Sequence, residues 1–99
     1  MQTQGRRLAV VELALKKYTA LAPNDPQGWT NLAALQLALN KRGEMWESLQ
    51  KAIDHGGEPA RGMIRKDKRF APVRNTKEFQ QLVPPIQQTG AMGLAPLGL

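Results

Sequence analysis

Apolar side chains return every three or four residues through the first half of this chain, the spacing that lines one face of an α-helix and that a β-strand cannot use. Leu8, Val11, Leu15, Tyr18 and Ala22 form the first series, so a helix is expected from about Arg6 to Leu21, with Pro23 stopping it. Asp25-Pro26 restarts the chain. Asp25 is placed to cap a second helix, and Pro26 takes the first helical position, where a missing N–H costs nothing. That helix carries Trp29, Leu32, Leu35, Gln36 and Leu39 on one side and is expected to end at Asn40-Lys41-Arg42-Gly43, with Gly43 supplying the left-handed turn. A third helix, from about Glu44 to Asp54, presents Met45, Leu49, Ala52 and Ile53 inward before Gly56-Gly57. Connections this short make neighbouring helices antiparallel.

The expected fold class is therefore all-α: antiparallel helix hairpins with a short C-terminal cap. Pro59 starts a short helix to about Lys66, Phe70-Ala71-Pro72-Val73 cannot continue it, and Asn75 with Glu78 three residues on forms a capping pattern for a last helix over about 76–83. Three segments follow: 1–58 with the main helices, 59–83 as a basic capping segment, and 84–99 as an uncharged tail. The tail holds three Pro and three Gly and reads as flexible.

With 99 residues the chain builds at most one modest core. No cysteine is present, which removes disulfides and thiolate metal sites, and one histidine rules out a multi-histidine site. No cofactor or metal is expected. Arg6-Arg7 ahead of Leu8 to Leu15 imitates a secretion signal, but Glu12 interrupts the apolar run and Lys16-Lys17 closes it. The uncharged stretch 79–99 is long enough to cross a bilayer yet too rich in Pro, Gly and Gln to do so, so no transmembrane segment is expected. The compartment is not legible.

Catalytic patterns fail one by one. His55, at a helix end beside two glycines, is expected to meet terminal carbonyls and has no nucleophile or carboxylate spaced to partner it. Gly56-Gly57-Glu58-Pro59 lacks the Lys-Ser/Thr ending of a phosphate loop. Trp29 reads as core packing, and Trp46 as packing beside the inward Met45. The expectation is a protein that is not an enzyme.

An internal period of 34 residues relates Val11 to Met45, Leu15 to Leu49, Lys17 to Lys51 and Pro23 to Gly57. With Trp29, Asn31, Leu32, Ala33 and Leu49 in their family slots, residues 8–58 resemble the tetratricopeptide repeat family. Departures are Gln36 in an aromatic slot, Met45 and Tyr18 in small-residue slots, a late Gly43 and Gly57 for the terminal Pro. The resemblance implies half a repeat plus one full repeat, with the first helix looking like the second of a unit whose partner lies in a longer, bacterial-type parent. It also implies a cap in which Phe70, Val73, Phe79 and Leu82 cover the final helix. Repeat arrays of this size need such a cap or self-association to be stable.

The same resemblance implies a peptide-binding groove on the inner face of the second helix, which by helical phase holds Gln27, Thr30, Asn31, Ala34, Leu37, Ala38 and Lys41. Asn31 is the sharpest of these, since an Asn there suits hydrogen bonding to an extended peptide backbone. The expected function is a protein-protein interaction module for a peptide or a partner subunit. The alternative lies in 61–77. Residues 61–78 carry seven basic side chains, Arg61, Arg65, Lys66, Lys68, Arg69, Arg74 and Lys77, against Asp67 and Glu78, whereas 1–60 is nearly balanced. Such a patch suits nucleic acid, an acidic protein or anionic lipid, and equally a merely solvated face.

Overall fold

The computed structural model describes residues 2–84, with side chains from Arg6 onward, and the tail beyond Pro84 lies outside the described residues. The chain is all-α, with no strand among the described residues. Its elements are α1 (Gln2–Leu21), α2 (Pro26–Ala38), α3 (Arg42–Lys66), a 3₁₀ turn (Lys68–Val73) and α4 (Lys77–Leu82). No described helix is long and apolar enough to cross a membrane.

α2 begins as its sequence requires, with the Asp25 carboxylate accepting from the Gln27 N–H and Pro26 in the first turn. Its end differs from expectation. Asn40, not Gly43, takes the left-handed conformation at φ 63°, and Gly43 lies inside the first turn of α3. Asn tolerates this geometry because its short polar side chain adds little crowding. α3 then runs antiparallel to α2, as three pairs show: Gly56 against Pro26, His55 stacked on Trp29, and Ser48 bonded to Gln36.

The span α3 is two helices joined across a kink, broken at the Gly56-Gly57 pair where the sequence placed a stop, with the second running to Lys66. Gly57, at φ 62° and ψ −145°, interrupts its helical geometry, and Pro59 opens the first turn beyond that break. This backbone region is close to glycine-only, so Gly57 ends the first helix and lets the second leave at a new angle. Gly56 has its own reason: a Cβ there would sit 2.7 Å from the Pro26 ring and from Ala60. Phe70-Ala71-Pro72-Val73 stays helical in the tighter 3₁₀ form, started by Asp67, whose carboxylate accepts from the Arg69 N–H. The cap of α4 is Thr76, not Asn75, since its hydroxyl accepts from the Phe79 N–H at 3.2 Å.

One core joins α2, α3 and the closing segment. Met45, Leu49, Ala52 and Ile53 are buried as the helical phase implies, and Ala33, Ala34, Ile64, Phe70, Val73, Phe79 and Val83 complete the cluster. Phe70 and Phe79 lie 6.5 Å apart in a tilted pair. Leu82 and Trp46 are half-buried at its edge. Trp29 is also half-buried, its indole N–H donating to the Pro23 carbonyl at 2.8 Å and its ring covered by His55. His55 thus stacks on an aromatic ring where the sequence suggested a contact with helix carbonyls.

α1 corrects the reading most. Its buried side chains are Glu12 and Thr19, one position beyond the expected Val11 and Tyr18, which are 45% and 44% exposed. Leu8, Leu15 and Ala22 of the expected series are half-buried, so the seated face is turned by only part of the roughly 100° that separates neighbouring residues. Met45 and Leu49 consequently pack into the α2–α3 cluster, to which Val11 and Leu15 do not belong. The cause is electrostatic. Lys41, in the α2–α3 turn, reaches the Glu12 carboxylate at 2.9 Å, Lys16 lies 3.5 Å from it, and Lys16 continues to Glu44 at 3.6 Å. Tyr18 lies across Gly28, where only a hydrogen leaves room for the ring, and its hydroxyl donates to Asp25.

This polar seam has a pH signature. The hydrogen bond from Lys41 holds the Glu12 carboxyl below its ordinary value, and the same contact raises Lys41. A lowered carboxyl stabilises the fold above its unfolded pKa, about 4.3, and that contribution is lost as pH falls through the lower folded value. Acid titration should release α1 before the core, read as faster hydrogen exchange in α1 than in α3. Glu12→Gln should flatten that difference.

Candidate functional site

A groove of about 770 Å³ lies between α1, α2 and the 3₁₀ turn. Val11 and Leu15 form one wall, Ala34, Leu35 and Ala38 the floor, and Arg69 and Pro72 the other wall. From Asn31 to Asn40 the floor runs about 13 Å at helical rise, room for about four residues of extended chain. Both charged lining residues, Arg42 and Arg69, are cations.

Asn31 is oriented by two donors. Gln27 Nε2 and Arg69 Nη2 both donate to its Oδ1, at 3.0 and 3.1 Å. Because both neighbours are donors, the carbonyl oxygen of the amide must face them. The amide N–H₂ of Asn31 has no partner among the described residues and can donate to a ligand's carbonyl. Arg69 is in turn held by Asp67, which accepts from its Nε at 3.0 Å and its Nη2 at 2.6 Å. The pair lowers the Asp67 carboxyl and raises the Arg69 guanidinium.

Four of the seven residues expected in this groove line it: Asn31, Ala34, Leu37 and Ala38. Gln27 stands behind Asn31 as its support. Gln27, Thr30 and Lys41 do not line the groove. Thr30 is buried, its hydroxyl donating to the Pro26 carbonyl at 2.8 Å, a local bond that turns it away from the groove. Lys41 is drawn to Glu12 instead. Helical phase missed Leu35, which it set on the opposite side of α2, and Val11, Leu15, Asn40, Arg42, Arg69 and Pro72. The walls come from other elements, and no signal within α2 could reveal them.

The basic segment does not form one open patch. Arg61 Nε donates to the Leu82 carbonyl at 3.1 Å and Arg65 Nε to the Pro84 carbonyl at 2.7 Å, and both guanidinium groups also pair with Glu58, whose carboxyl they lower. Arg74 donates to the carbonyls of Arg65 and, at 2.8 Å, Asp67, and lies 5.8 Å from the Phe79 ring centroid. Arginine suits this use because its fork satisfies two orphan helix-end carbonyls at once. Lys66, Lys68 and Lys77 are exposed and lack partners among the described residues.

A second cleft of about 400 Å³ lies between α1, α2 and α3, with Lys16, Lys51, Glu44 and Glu47 around Trp29 and Ser48. Its mixed charges favour no one ligand class. No cluster of three potential metal-ligating side chains occurs among the described residues. Comparisons with protein-family models, curated proteins and solved structures find no match.

Proposed function

We propose that this chain is a non-catalytic protein-interaction module that holds a short peptide or a segment of a partner subunit in the groove over α2. The observation that carries the reading is the fixed Asn31 amide above an apolar floor. One end of the groove offers oriented N–H donors for a peptide carbonyl, and the floor offers aliphatic surface for the side chains beside it. The tetratricopeptide-like resemblance of residues 8–58 supports the same reading, and the α2–α3 turn at Asn40 falls three residues before Gly43, nearer the spacing of that family.

Nucleic-acid binding through 61–77 is the weaker proposal, because four of its seven cations already serve the protein's own carbonyls and carboxylates. Selection of displayed peptides on the full chain tests the first reading. Selected peptides should lose at least about tenfold in affinity, about 1.4 kcal/mol, against Ala38→Arg, which fills the floor. Indifference to Ala38→Arg, or steeply salt-dependent binding of RNA or DNA that Lys66→Ala with Lys68→Ala abolishes, would count against it.

A further inference from the structure

We infer that the outward face of α1 is a second docking surface, fitted to a single amphipathic α-helix with carboxylates beside its apolar stripe, and that Lys17 sets the register of the pair. Val10, Leu13 and Leu21 are 67%, 58% and 87% exposed on a helix whose opposite side is seated on α2. Val10, Leu13 and Lys17 follow one another at steps of three and four, the spacing of the seam in a two-helix coil. Arg6 stands one four-residue step earlier in the same line and Leu21 one such step later.

The charge on this face has one sign. Glu12 is the sole carboxylate of α1, and it is turned inward to Lys41 and Lys16. Arg6, Arg7 and Lys17 are exposed, and no ion pair engages them among the described residues. A complementary surface therefore combines aliphatic side chains with acidic ones. Symmetric pairing with the α1 of a second copy does not supply it, because α1 against α1 sets cations beside cations with no carboxylate to answer them. A bilayer fits less well. The stripe has no aromatic side chain to anchor at a headgroup layer, and Lys17, flanked in the seam by Leu13 and Leu21, is matched by one placed carboxylate, which fixes register.

The groove over α2 uses Val11 and Leu15, so the two surfaces can be tested apart. The probe is a fluorescent synthetic peptide of about three heptads, with Leu at the seam positions, Glu beside them and one seam Glu set to oppose Lys17. Titrated with the full chain, it should bind saturably. Leu13→Asp should weaken binding by at least about tenfold, and so should Lys17→Glu. Replacing the peptide's seam Glu by Lys should restore binding to Lys17→Glu, while Ala38→Arg in the groove should leave it unchanged. Each variant lies on exposed surface, and circular dichroism should show an unaltered helical spectrum. Absent saturable binding, indifference to Leu13→Asp, or no rescue by the Lys peptide would overturn the inference. So would Leu13-dependent binding to phosphatidylcholine vesicles containing roughly one quarter phosphatidylserine, with no binding to the peptide.

Discussion

Phe70→Ala should destabilise the domain by about 3–5 kcal/mol, a large part of the roughly 5–15 kcal/mol that holds a domain of this size folded. Phe70 is fully buried and meets Phe79, Ile64 and Val73 in the cluster that also contains Met45 and Leu49. Truncation leaves a cavity at the place where the closing segment meets the helix pair, and the polar seam between α1 and α2 offers no apolar reserve. Thermal melting by circular dichroism should show the midpoint lowered by more than about 12 °C. The half-buried Leu82→Ala should move it far less. Equal effects at the two positions would mean that the closing segment is not part of the core.

Arg74→Ala should cost about 2–3 kcal/mol. The loss has two sources: the carbonyls of Arg65 and Asp67 are left without their donor, and the Phe79 ring loses the cation beside it. Arg74→Lys should recover only part of this, since a point charge cannot span both carbonyls as the guanidinium fork does. Urea denaturation of the three proteins measures both differences. Wild-type stability in Arg74→Ala would return the arginine to solvent, and with it much of the case for a phosphate-binding patch.

Local signals were legible in this sequence and long-range ones were not. Asp25-Pro26 starts α2 by a bond made two residues away, and Met45, Leu49, Ala52 and Ile53 face inward because one period orders them. The rotation of α1 depends on Lys41, 29 residues from Glu12, and a Glu within an apolar helix reads as solvent-facing until that partner is known. The left-handed turn at Asn40 was not legible because a glycine, the commoner residue for such a turn, stands three positions on and drew the expected boundary there. Arg69 and Pro72 reach the groove only after the chain has folded back on α2, so the floor could be read from helical phase and the far wall could not. Arginines at 61, 65 and 74 looked like a charged surface because their acceptors are mostly backbone carbonyls, which carry no mark in a sequence.

The proposed peptide site lies over α2 between α1 and the 3₁₀ turn, beside the Asn31 amide. Amide and side-chain shift mapping of the ¹⁵N-labelled full chain with a peptide selected on it tests this directly. The largest changes should fall at the Asn31 side-chain NH₂, Ala34, Ala38 and Arg69, with α4 unmoved. Changes confined to Lys66, Lys68 and Lys77, with Asn31 still, would contradict it.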